Sequence, residues 1–178
     1  TCELVYDFII ALQEQKKIDS DLADCLFTGL VTDTGRFRHA TSSKVYRTAS
    51  ELVSFGAKDT MINDYIFNSY TEKQLKLLGY CLYERMEVLE DYDTAIISLS
   101  KKDYKTFDIQ RGDTEGIVNY MLSMPNIKLA AFITEQPTIV KYSLRSKGDI
   151  SVQQMASKHF NGGGHKNASG GAVHTSLR

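Results

Sequence analysis

The run Asn161-Gly162-Gly163-Gly164-His165-Lys166-Asn167-Ala168-Ser169-Gly170-Gly171 is the sharpest chemical feature of the sequence. Consecutive glycines let a backbone approach a ligand closely, and their successive N–H groups can form a nest for the oxygens of an anion. A helix starting at about His165 would add its positive end, and His165 could donate to a phosphate oxygen when the anion keeps it protonated. Gly162, Gly163 and Gly164 alone fit a flexible turn with an exposed histidine better. The company of His165, Ala168-Ser169 and the second glycine pair shifts the reading to an anion site. No Gly-Lys-Ser/Thr follows, so the run is not a Walker loop.

A second feature is Val31-Thr32-Asp33-Thr34-Gly35-Arg36-Phe37-Arg38-His39-Ala40-Thr41. An aspartate held between threonines is a suitable hard oxygen ligand for Mg²⁺ or Mn²⁺, while Arg36 and Arg38 bring positive charge and Phe37 a stacking face. Asp33 as a helix or turn cap, with the arginines as solvated surface charges, is the competing reading. One carboxylate is not a metal site, and no H-x-x-x-H or H-E-x-x-H pattern supplies the rest. Arg145, in Leu144-Arg145-Ser146-Lys147-Gly148, ends a strand-like run and could reach a phosphate with both arms of its guanidinium, or simply face water. His39 adjoins the Asp33 loop and shares its functional prospects; His159 and His174 read as structural or surface residues. The tyrosines read as packing.

These groups need elements to hold them. Apolar residues at helical spacing run from Leu4 to Leu12 and from Ile18 to Leu26, and Thr32 to Gly35 reads as a loop after the second helix. Helical periods resume over Val45 to Phe55, Met61 to Phe67 and Lys73 to Met86. The second half changes character: Tyr92 to Leu99, Ile127 to Ile133 and Thr138 to Leu144 are short β-rich runs. A helix is expected from Asp113-Thr114-Glu115-Gly116 to just before Met124-Pro125-Asn126. Glu135-Gln136-Pro137 reads as a hairpin turn. Another helix should follow Asp149-Ile150-Ser151 with Val152, Met155 and Ala156 on one face, and a last strand lies near Ala172 to Thr175. The acidic stretch Glu84 to Asp91 separates helix-rich from strand-rich sequence.

Composition limits the company this chain can keep. With 21 Lys+Arg against 22 Asp+Glu, a net charge of -1 and 178 residues, it is not a basic wrapper of long nucleic acid. Hydrophobic residues at 42% and charged residues at 24% fit a globular chain of one or two domains. Cys2, Cys25 and Cys81 form neither a disulfide framework nor a zinc knuckle, which points to a reducing cytoplasm. No apolar run is long enough to span a membrane, so no membrane partner is expected.

The T-D-T-G-x-F-R loop at Thr32 to Arg38, the D-T-E-G at Asp113 to Gly116, the R-S at Arg145-Ser146 and the G-G-G-H-x-x-A-S-G run at Gly162 to Gly170 together resemble the DHH phosphoesterases with a C-terminal DHH-associated domain. The resemblance is closest to the RecJ-like branch of nanoRNases, oligoribonucleases that also act as 3'-phosphoadenosine 5'-phosphate phosphatases. It implies an α/β fold of two-domain DHH phosphoesterase architecture: residues 1–85 as a helix-rich C-terminal part of the DHH catalytic domain and linker helix, and residues 86–178 as a small α+β DHH-associated, substrate-binding domain with a mixed sheet.

The resemblance further implies a metal-dependent hydrolase of short oligoribonucleotides and of 3'-phosphoadenosine 5'-phosphate. A two-Mn²⁺ site, with Mg²⁺ as the other candidate ion, would take Asp33 as one ligand. Asp33 and His165 would be catalytic. Phe37, Arg38, Arg145, Gly162, Gly163, Gly164 and His165 would bind a short RNA or nucleotide. The alternatives are a cyclic-dinucleotide phosphodiesterase, a pyrophosphatase or polyphosphatase of the same superfamily, or a non-catalytic nucleotide-binding fragment. The family's H-x-N-x-D and Asp-His-His motifs do not occur, and Thr1-Cys2-Glu3-Leu4 resembles the start of the helix after Asp-His-His. The chain is therefore expected to begin inside the catalytic domain and to be inactive alone. The oligomeric state is left open, a homodimer included.

Overall fold

The computed structural model describes residues 2–38 and 41–175; His39 lies outside the described residues. The chain divides into two compact units, Thr1–Tyr70 and Thr71–Arg178.

The first unit holds helices α1 (Cys2–Ala11), α2 (Ser20–Asp33), α3 (Ser43–Ser54) and α4 (Asp59–Phe67). Helix starts leave backbone N–H groups without partners, and side chains supply them. The Asp19 carboxylate accepts from the Leu22 N–H at 2.9 Å to open α2, and the Ser42 hydroxyl accepts from the Val45 N–H at 3.3 Å to open α3. The helical period gathers Ala23, Leu26, Phe27, Leu30 and Val31 of α2 against Val45, Ala49 and Leu52 of α3 and Tyr6 of α1. Gly29 is where α1 and α2 come closest: a Cβ there would overlap the Cys2 side chain.

In the second unit α5 (Glu72–Glu84) begins with a capping box in which the Thr71 hydroxyl and the Gln74 side chain satisfy each other's backbone. Strands β1 (Met86–Leu89), β2 (Thr94–Leu99), β3 (Leu129–Glu135), β4 (Val140–Ser146), β5 (Gly163–His165) and β6 (Ala168–Val173) form one sheet in the order β1-β2-β3-β4-β6-β5. Only β2 and β3 run parallel, and the connection between them carries α6 (Lys101–Thr106) and α7 (Ile117–Met121), as a parallel pair requires. The remaining helix, α8 (Val152–His159), lies between β4 and β5 in sequence.

Side chains alternate between the two faces of the sheet. One face sends Ala95, Ile97, Leu99, Ala130 and Phe132 into a core with Leu77 and Cys81 of α5 and Ile117, Val118 and Met121 of α7. The other sends Ala131 and Leu144 against Val152 and Ala156 of α8, with Tyr142 stacked on Phe160 at 4.1 Å between ring centroids.

Several expectations change. Helix α5 falls in the sheet unit, whose core fully buries its Leu77 and Cys81. The acidic stretch from 84 to 91 contains edge strand β1, paired with β2 from Met86↔Ile97 to Leu89↔Thr94. Residues 113–116 are turns, and the helix begins only at Ile117. No helix starts at His165, which instead closes β5 of a hairpin with β6. The last strand begins earlier than Ala172, at Ala168. Thr32 and Asp33 lie in the last turn of α2 rather than in a loop.

Candidate functional site

β4 alternates Val140, Tyr142, Leu144 and Ser146 toward α8 with Lys141, Ser143 and Arg145 toward the face that α5 and α7 cover elsewhere. That cover thins across the sheet. On β3, Ala130, Phe132 and Thr134 are buried; on β4, Ser143 and Arg145 are half-buried; on β5, Gly163 and His165 are exposed. The register then fixes who stands beside whom. Ala130 pairs Arg145, Arg145 pairs Ala168 and Ala168 pairs His165, so all four lie in one transverse row on one face. The next row is Phe132, Ser143, Gly170 and Gly163.

Arg145 and His165 are thus two strand spacings apart, roughly 10 Å between backbones, with only the methyl of Ala168 between them. A guanidinium and an imidazole can close that gap from either side around one phosphate. Arg145 donates through Nη1 to the Leu144 carbonyl at 2.9 Å, and no carboxylate pairs with it among the described residues. Burial pulls its pKa below the ordinary arginine value. A half-buried cation so placed leaves donors of its planar fork for an incoming anion.

The glycine run is a β-hairpin, which separates the roles of its three glycines. A Cβ at Gly162 would overlap the Gly170 carbonyl, and one at Gly164, where φ is +141°, would lie 2.6 Å from the Ala168 carbonyl. Hairpin packing demands both. A Cβ at Gly163 would meet nothing within 4 Å, so nothing in the fold requires glycine there. Its bare backbone lies on the face of Arg145 and His165, where a ligand can come close. Asn167 fixes the hairpin tip, its Nδ2 donating to Ser146 Oγ at 2.9 Å and to the Gly148 and Ile150 carbonyls at 3.1 and 3.2 Å. Ser143 and Lys141 are not singled out as site residues by the sequence, although the alternation of β4 already puts Lys141, Ser143 and Arg145 on one side.

The first unit carries the other predicted residues. Asp33 ends α2 on an exposed turn. Buried Thr34 caps the helix: its hydroxyl donates to the Leu30 carbonyl at 2.8 Å and accepts from the Phe37 N–H at 3.0 Å. Gly35, Arg36 and Phe37 then all take φ near +60°, a left-handed turn in which two residues carry side chains at a steric cost. The turn is held by its rings. Phe37 stacks on Tyr46 at 5.3 Å and meets Phe27 edge-on at 6.5 Å, while the Arg36 guanidinium lies 4.5 Å over Phe67. Phe37 is therefore half-buried in its own unit's packing rather than standing clear as a stacking face. Arg38 is exposed.

For a metal, Asp33 offers one hard oxygen donor, and among the described residues no three His, Cys, Asp or Glu side chains converge. These residues do not by themselves make a two-metal site. Buried Cys81 is no substitute: burial pushes its thiol up to about 12, well away from the thiolate that binds metals. No helix among the described residues is long and apolar enough to cross a membrane.

Residues 92–177, which hold strands β2 to β6, the glycine hairpin and Arg145, match the DHHA1 domain model. The chain therefore carries a DHHA1 domain. It is 34% identical over 170 residues to a probable bifunctional oligoribonuclease and PAP phosphatase NrnA from Streptococcus mutans, covering 94% of this chain and 53% of that protein. It is 26% identical over 178 residues to the bifunctional oligoribonuclease and PAP phosphatase NrnA of Bacillus subtilis, covering 97% of this chain and 54% of that one. Among solved structures, an exopolyphosphatase-related protein from Bacteroides fragilis superposes with a TM-score of 0.94 at 39% identity, over 99% of this chain and 52% of that chain. The chain thus spans about half the length of the curated relatives it matches.

Proposed function

We propose that the sheet unit holds the phosphate of a short oligoribonucleotide or of 3'-phosphoadenosine 5'-phosphate for hydrolysis by the whole protein. The observation that carries this reading is Arg145, a half-buried guanidinium with no carboxylate partner among the described residues, in one row with His165 and beside the bare backbone of Gly163. The relatives named as oligoribonuclease and PAP phosphatase support the substrate class. In this reading Arg145 binds and orients the phosphate, and His165 donates a hydrogen bond to an oxygen that gains charge as the ester breaks. Asp33 would offer one oxygen ligand toward Mn²⁺ or Mg²⁺. A metal there would supply an activated water and charge neutralisation.

The test is metal-dependent hydrolysis of di- and triribonucleotides and of 3'-phosphoadenosine 5'-phosphate by the natural full-length protein. Asp33→Ala should abolish turnover. Arg145→Ala should weaken nucleotide binding by about 10- to 100-fold, the worth of a charge-assisted bidentate contact. His165→Ala should lower both binding and kcat. Unchanged turnover in all three variants would reject the reading, and a clear preference for cyclic dinucleotides or pyrophosphate in the same panel would reassign the substrate.

A further inference from the structure

The open face extends beyond Arg145 and His165. Along β4 the residues on that face are Arg145, Ser143 and Lys141, and across from them on β6 stand only Ala168, Gly170 and Ala172. A floor of methyl groups and bare backbone beside a strand bearing three donors makes a shallow track. The Ser143 hydroxyl and the Lys141 ammonium have no hydrogen-bond or ion-pair partner among the described residues, although most lysines of the sheet unit do. Lys73, Lys101, Lys128 and Lys166 each reach a carboxylate, and Lys147 donates to the Met124 carbonyl.

We propose that Ser143 and Lys141 form an outer phosphate subsite that favours a nucleotide chain over a single nucleotide. The inference rests on the reading of Arg145 and His165 as the inner phosphate site. Alternate residues of an antiparallel strand are about 7 Å apart, so Ser143 stands roughly 7 Å and Lys141 roughly 14 Å from Arg145 along β4. Those intervals match about one and two repeats of an extended sugar-phosphate backbone. A mononucleotide bisphosphate reaches from Arg145 only as far as Ser143. A chain of roughly three nucleotides brings a phosphate under Lys141. The backbone of the ligand would run along β4, with one end at Arg145 and the other toward the β3–β4 turn.

The experiment is calorimetric binding to the full-length protein in EDTA, which suppresses turnover, with 5'-AMP and 5'-phosphorylated triadenylate as probes. Lys141→Ala should weaken the triadenylate about 5- to 10-fold, leave AMP within about 2-fold, and reduce the salt slope for the triadenylate by about 0.7, the single-strand value for one lost phosphate contact. Lys141→Arg should restore both. A loss shared equally by the two probes, or none on the triadenylate, overturns the outer subsite. Arg145→Ala separates the two levels, since it should weaken both probes. If it weakens neither, or if the wild type binds neither, the inner site itself is wrong.

Discussion

Asp103 shows what one carboxylate can organise. It is only 4% exposed, and it accepts from the Tyr80 hydroxyl at 2.6 Å, Arg85 Nη2 at 2.7 Å, and the Ser100 N–H and hydroxyl at 2.8 and 2.7 Å. Burial opposes its ionisation, but the bonds from Tyr80, Ser100 and Arg85 outweigh that and hold the carboxyl well below the usual range. Its folded pKa is thus lower than its unfolded one. The stabilisation is complete above about pH 4 to 5 and drains away as the pH falls toward the folded value. Asp103→Asn should cost about 2 kcal/mol at neutral pH, through lost charge-assisted bonds. Between about pH 5 and 3 its melting temperature should fall less than that of the wild type, as differential scanning calorimetry would show.

The glycine hairpin divides along similar lines. Gly164→Ala forces a Cβ to 2.6 Å from a carbonyl at a φ that L residues rarely adopt, and should destabilise by about 1–3 kcal/mol. Gly163→Ala should leave the melting temperature unchanged yet weaken AMP binding, because only the ligand would meet the new methyl. A large stability loss at 163 would remove the argument that its glycine is kept for a ligand.

At the scale of elements, legibility follows how each one is stabilised. Helices α1 to α5 announce themselves by apolar period, since each buries a face. Helix α6, Lys-Lys-Asp-Tyr-Lys-Thr, has no such stripe; it is nucleated by the reciprocal bonds of Ser100 and Asp103, a signal that resides in the Ser-x-x-Asp spacing alone. Strand β1 hides in acidic sequence because a sheet edge tolerates charge. The hairpin of β5 and β6 reads in sequence as a nest before a helix because three glycines carry no alternation to betray a strand. Arg145, His165 and Gly163 are candidates by type and spacing, and only the register shows that they share a face. Asp33 was legible as a candidate ligand, whereas the ring packing of Phe37 depends on Tyr46 and Phe27, which no local pattern connects to it. Phe37→Ala should therefore cost about 3 kcal/mol in stability, measurable by denaturant titration.

For the molecule as a whole, the assignment of α5 to the sheet has a direct test. A fragment of residues 71–178 should unfold cooperatively, because Leu77 and Cys81 complete its core, whereas residues 86–178 leave that core open to water. Near-neutral net charge also shapes recognition: without a broad positive field, affinity has to come from a few short-range contacts rather than from long-range attraction.

The sheet ends in strands of four residues at β1 and three at β5. A long, flat rim of free N–H and C=O groups invites a neighbouring molecule to add its own strand, the first step toward fibres. Here one rim carries the exposed carboxylate of Glu87 and the other, Gly163-Gly164-His165, is only three residues long. The same hairpin that offers its face to a phosphate also closes the sheet against self-association, so substitutions that lengthen or stiffen it should be judged by solubility as well as by binding.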